Sequence, residues 1–313
     1  MKNGENGLGS PTGLSKDPEK WRGLFSFPLV AMLAAIVFYA AALALGIVLG
    51  SLLPNLGGHE VRSIVKDAII LAMVLGSYKL LIARLGEKPR DDLQLAGSLA
   101  GLGKGILAGL AIFTSVVGIA FALGIYRIVG TGHASAMLVP LVSVAVLPAF
   151  TEELLFRGIL FRWIEEFAGS WVALAMTSAL FGLAHIFNPG ATWFSSFAIA
   201  AEAGLLLGGS YMLTRSLWMP VGLHAAWNFA EGPIFGVPVS GGPSTGLIHA
   251  SINGPQLVTG GSFGLEASVI ALALATAVGI WMLVLAVRRG LVFGPMWTRK
   301  GAISVSQRKL IGQ

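Results

Sequence analysis

The chain has 313 residues, of which 55% are hydrophobic and only 12% charged, and its mean hydropathy is +0.79. A soluble domain carries about 25% charged residues, so this composition excludes an ordinary soluble protein and fits a polytopic membrane protein. The net charge of +6 would suggest a nucleic-acid partner in a soluble chain. In a membrane protein, basic residues gather in loops and set topology, so no nucleic-acid partner is expected. Cysteine is absent, which removes a disulfide framework, a thiolate metal site and a cysteine nucleophile.

Residues 1–23 are polar and lack the apolar core of a secretory signal. They are expected to form a disordered cytoplasmic tail with a basic flank of Lys16, Lys20 and Arg22. Eight apolar stretches follow, at 24–53, 64–83, 103–125, 136–156, 171–187, 193–213, 220–235 and 265–287. Each is near the ~20 residues that cross ~30 Å of hydrocarbon. Lipid offers no partner to an open strand edge, so all are predicted to be helices. The expected fold is an all-α polytopic membrane protein, a bundle of about eight transmembrane helices around an intramembrane polar cavity. Residues 24–287 are read as its single transmembrane domain and 288–313 as a basic cytoplasmic tail.

Basic residues test the topology. Lys2, Lys16, Lys20 and Arg22, then Arg84, Lys88, Arg90 and Lys104, then Arg162, Arg215 and the tail from Arg288 onward all fall on one side. The other side holds only Arg62, Lys66 and Arg127. The excess predicts a multi-pass protein of the cell membrane with both termini in the cytoplasm. Gly97, Gly101, Gly105 and Gly109 form a small-residue stripe, as do Ala200, Gly204 and Gly208. Such stripes mark close helix contacts, expected here within one chain. Residues 237–263 are rich in Gly, Pro, Ser and Thr and read as a long outer loop.

The fourth stretch contains Thr151-Glu152-Glu153-Leu154-Leu155-Phe156-Arg157-Gly158. A charge at the centre of a bilayer costs about 2.5–3.5 kcal/mol even on lenient scales, so such residues face the bundle interior and mark function. Glu153 and Arg157 are four apart and share a helix face, which suits an ion pair; Glu152 is rotated away and left free. Two environments for two carboxylates separate a structural pair from an acid or base. Phe181 and His185 are four apart on the fifth stretch, and His224 and Asn228 four apart on the seventh, where Pro220 suits the first helical turn. Glu152, His185 and His224 are a set that a divalent metal such as zinc could use. Without metal, Glu152 can serve as general base while His224 and Asn228 donate to an oxyanion. No H-E-x-x-H occurs, so the zinc-protease signature gives the metal version no support.

E-E-x-x-x-R, then F-x-x-x-H, then H-x-x-x-N, all on apolar helices, closely resembles the CAAX protease and bacteriocin-processing family of intramembrane endopeptidases. That family includes the eukaryotic type II CAAX prenyl endopeptidase. The resemblance covers about residues 138–229, with 216–220 and 261–266 also in the family's style. It implies an eight-helix enzyme that hydrolyses a peptide bond of a membrane-embedded or lipidated substrate. Carried over position by position, it implies that Glu152 activates water with help from His185. Glu153 and Arg157 would support the site, Phe181 would pack beside His185, and His224 with Asn228 would stabilise the oxyanion. Metal-dependent and metal-free versions are both compatible with it.

The span limits place Glu152 and His224 toward the cytoplasmic side and His185 toward the outer side, a mismatch that a kink near Pro148, or a fifth span beginning later, would relieve. Glu202 is expected to line a cavity or serve structure, Glu165 and Glu166 to be solvated, and Glu231 and Glu266 to be interfacial. Two rival readings use the same residues: a non-catalytic interaction or bacteriocin-immunity protein, and a transporter relay. The latter is disfavoured because broken helices in inverted repeats are not evident.

Overall fold

A computed structural model describes residues 23, 25–54, 57–87, 89–243 and 246–299. The polar tail expected at 1–23, Gly23 apart, and residues 300–313 of the basic tail lie outside the described residues. The long helices are α1 (Pro28–Ser51), α2 (Gly58–Leu80), α3 (Ser98–Ala122), α4 (Leu138–Ala168), α5 (Ser170–Ala184), α6 (Trp193–Thr214), α7 (Trp218–Phe229) and α8 (Val269–Arg288). Among the described residues, α1, α3, α4, α5 with its final turn, α6 and α8 are long and apolar enough to cross a membrane. The other two expected spans are helical but differ in kind. α2 carries Glu60, Arg62, Lys66, Asp67 and Lys79, and α7 has only 12 residues before a π turn at Ala230–Ile234.

The fourth helix runs twelve residues past the expected end at Phe156. Its charges misplace the boundary, because Arg157, Arg162 and Glu165 are buried against neighbouring helices rather than solvated. Glu165 accepts from Arg215 Nη1 at 2.6 Å and from the Ser170 hydroxyl. Arg162 donates to the Arg90 carbonyl at 2.9 Å. Glu166 keeps a side chain 30% exposed, 3.9 Å from Arg162. Nearby, Asp92 pairs with Arg90 at 2.8 Å and accepts from the Tyr211 hydroxyl at 3.2 Å. Burial pushes the Asp92 carboxyl up, and Arg90 beside it pulls it back. Basic residues from several segments assigned to one side thus converge on one polar end of the bundle.

Strands β1 (Tyr126–Thr131) and β2 (Ile248–Ile252) pair antiparallel, with Tyr126 opposite Ile252 and a register irregularity between Ile128 and Gly130. The second strand lies inside the stretch read as an irregular loop. Its partner is more than a hundred residues away, so no hairpin turn signals the pair.

The glycine stripes are contacts within the chain. A Cβ on Gly105 would lie 2.2 Å from the Met219 carbonyl oxygen, and one on Gly109 2.4 Å from that of Leu223. From the other side, a Cβ on Gly222 would meet the Leu102 carbonyl oxygen at 2.4 Å. α3 and α7 therefore touch backbone to backbone, the approach that only small residues allow. Gly204 and Gly208 hold α6 against Ser178 and Leu174 of α5 in the same way. Gly97 stands apart from its stripe: it starts α3 in a left-handed conformation, φ 76°.

Gly105→Ala should lower the thermal unfolding midpoint of the purified protein, since overpacking a tight contact costs about 1–3 kcal/mol. Gly103→Ala, where a Cβ meets nothing within 4 Å, should leave the midpoint unchanged or raise it.

Candidate active site

The site is built on an irregular length of α4. An α-helical segment, Leu147–Glu153, lies between two π segments, Leu141–Val146 and Leu154–Phe161. Such π turns often occur at functional sites. Pro148 has no N–H, so the Val144 carbonyl lacks its α-helical donor. The Asn228 side-chain amide supplies one, Nδ2 to oxygen at 3.1 Å. The Thr151 carbonyl accepts from the Tyr39 hydroxyl at 2.9 Å. Side chains of α1 and α7 therefore hold the length of backbone that leads into Glu152.

Glu153 and Arg157 form the i,i+4 pair at 2.8 Å, both side chains fully buried. Arg157 Nη2 also donates to the Ala203 carbonyl at 3.2 Å, which ties α4 to α6. Its guanidinium stands 4.9 Å from the centre of the Phe181 ring, within the range of a cation–π contact. The same Glu153 oxygen that Arg157 binds lies 3.1 Å from His224 Nδ1. A carboxylate only accepts, so Nδ1 carries the hydrogen and the ring orientation is fixed.

Glu152 is placed differently. Its side chain is 32% exposed, its Oε2 has no hydrogen-bond partner, and that atom lies 3.9 Å from His224 Nε2. This is beyond hydrogen-bond distance, yet near enough for one water to touch both groups. The neutralised carboxylate and the free one thus flank the same imidazole.

Phe181 is the apolar hub. Its ring packs edge-on to Phe156 at 4.9 Å, tilted on His185 at 4.8 Å and edge-on to His224 at 6.2 Å. The Phe181 carbonyl accepts from His185 Nδ1 at 2.7 Å, which leaves Nε2 as the working nitrogen of His185. Among the described residues no hydrogen bond or ion pair joins His185 to Glu152; the two meet only through Phe181 and His224. The expected mismatch of depth is removed by the long α4, whose midpoint falls at Glu152 and Glu153.

His185, His224 and Asn228 line one narrow cavity together with Glu202, Ser240 and Glu266. Glu152 is not among its lining residues and reaches the group through His224. The expectation that Glu231 and Glu266 are interfacial is corrected: both are buried. Glu231 accepts from Trp227 Nε1 and from the Glu266 backbone N–H, each at 3.2 Å. Glu266 accepts from the Ser240 hydroxyl at 2.8 Å. The long loop after α7 folds back and brings the residues before α8 onto the end of that helix. Nothing local in the sequence signals this. Of the cavity's two carboxylates, Glu202 is the one that pattern reading flags, as a charge inside a membrane helix.

Among the described residues no three His, Asp or Glu side chains are grouped so as to hold a metal. Glu152, His185 and His224 do not form such a set.

A charged pair, a free carboxylate and two histidines gathered within a bundle that has six helices long and apolar enough to cross a membrane define a polytopic membrane protein with a buried polar site. Residues 134–230, from just before α4 into the turn after α7, match the family model described as Rce1-like, type II CAAX prenyl endopeptidase Rce1-like. The match covers about a third of the chain, and all six polar motif residues fall within it. No curated protein and no solved structure matches the chain.

Removing Arg157 alone should be severe, because an unpaired buried charge costs about 3–5 kcal/mol. Arg157→Met is expected to lose that stability in denaturant unfolding. The double variant with Glu153→Gln should recover much of it, since no uncompensated charge remains. Additive losses would show that the pair contributes no coupling.

Proposed function

We propose that the protein is an intramembrane endopeptidase that hydrolyses a peptide bond of a membrane-embedded or lipidated substrate. The observation that carries this reading is the His224 ring set between a neutralised carboxylate on Nδ1 and a partnerless carboxylate near Nε2. The Rce1-like domain supports the reaction class.

In this mechanism Glu152 removes a proton from water, which attacks the scissile carbonyl. Negative charge develops on the carbonyl oxygen. His224 donates to it from Nε2, and Asn228 offers the amide hydrogen that Val144 does not use. Because Nδ1 is already protonated toward Glu153, donation from Nε2 requires the doubly protonated ring. Two flanking carboxylates give that cation its counter-charges. Glu152 then returns the proton to the leaving amine. His185, through Nε2, holds water or the departing group at the cavity wall. Glu153 and Arg157 act on His224 and on the α4–α6 contact rather than on substrate. The distribution of basic residues supports a site served from the cytoplasmic side, with both termini there.

A cleavage assay in liposomes with a candidate membrane peptide tests this. Glu152→Ala and His224→Ala should each lower kcat by about 10²–10⁴-fold while thermal unfolding stays near wild type. Full activity in both variants would sink the mechanism. Metal analysis and chelation of the same sample separate the two chemistries: activity that survives chelation supports the glutamate route. Loss that Zn²⁺ restores overturns it.

A further inference from the structure

The mechanism leaves one cavity wall unused. Glu202 on α6 is 1% exposed, its Oε2 has no hydrogen-bond partner, and it lines the same cavity as His185, His224 and Asn228. Its neighbours do not explain it. Glu231 and Glu266 are satisfied by Trp227, Ser240 and backbone N–H groups, and they fix the outer loop to α7. Glu202 is the carboxylate left over. Glu266, a carboxylate of the same sign, lines the cavity with it. No Lys or Arg lines the cavity, and the two imidazoles in its wall are engaged elsewhere through Nδ1, His185 with the Phe181 carbonyl and His224 with Glu153.

A buried carboxylate without a partner is costly, and the cost is relieved when a donor or cation arrives. We infer that Glu202 is a specificity-determining residue: with Glu266 across the cavity it forms a subsite for a compact cationic group of the substrate, a lysine side chain or a peptide amine. This rests on the proteolytic reading for its substrate, but the recognition chemistry stands on the cavity alone. The apolar part of the wall, including Leu206, Leu207 and Ala275, suits the methylene stem of a lysine, which keeps its charge at the end.

The test uses membrane peptides identical except for one position, scanned through the segment as lysine or as norleucine, its uncharged counterpart. Cleavage is measured with wild-type protein, and binding with Glu152→Gln, in which turnover is blocked. Lysine at one position should improve kcat/KM and tighten binding by about tenfold or more, the scale of a charge-assisted hydrogen bond. Glu202→Gln should abolish that preference in both readouts and cut the norleucine peptide within about threefold of wild type. Glu202→Asp, which keeps the charge, should retain most of it and guards against a folding defect in the Gln variant. Equal handling of lysine and norleucine at every position overturns the subsite while leaving proteolysis intact. A preference that persists in Glu202→Gln also overturns it. Selective binding lost in Glu202→Gln, with no cleavage of any peptide by wild type, overturns the proteolytic reading and keeps the subsite.

Discussion

The whole site depends on one carboxylate oxygen. Glu153 Oε1 is bound by Arg157 at 2.8 Å and by His224 at 3.1 Å, with the glutamate and arginine side chains fully buried. In a medium with little screening, that single atom fixes the rotamer of the arginine, the tautomer of the histidine and the spacing of α4 from α7. Arg157 passes the constraint on to α6 through the Ala203 carbonyl. Three helices are thereby registered by a group that itself takes no part in bond-breaking. Glu152, next to it in sequence, is free to act because its neighbour has absorbed the local cation.

Backbone irregularity and side-chain chemistry are coupled here. Pro148 strips a donor from the Val144 carbonyl, and Asn228 replaces it with an amide that also lines the cavity. A residue that reads as an oxyanion donor therefore has a second duty in holding the helix that carries the base. The glycine contacts serve the same end: α7 can reach α4 only because α3 lets it lie backbone against backbone.

Much of this was legible in the sequence. Hydropathy located the helices, and four-residue spacing placed Glu153 with Arg157 and His224 with Asn228, because membrane helices leave few other geometries. The parts that were not legible share a cause. Arg157, Arg162 and Glu165 look like boundary charges, yet they are buried by partners from distant segments, so the end of α4 was set twelve residues early. Glu231 and Glu266 come together only when the loop before α8 folds back, and β1 finds β2 more than a hundred residues away. His185 was expected beside Glu152; it is tied instead to the Phe181 carbonyl, a bond that residue spacing permits but does not announce. Contacts within a turn or two of helix are written locally, whereas long-range closure is not.

The length of α4 has a consequence for supply. Thirty-one residues extend about 46 Å at 1.5 Å per residue, well beyond a hydrocarbon layer of ~30 Å. With the stretch from Arg162 to Ala168 engaged in the polar end of the bundle, Glu152 lies about 15 Å further along the axis, near the middle of the layer. For the hydrolysis proposed above, water is then the scarce reagent, and the polar wall of the cavity is where it would be held. Turnover by that mechanism would be governed by hydration of a narrow passage as much as by the strength of its base.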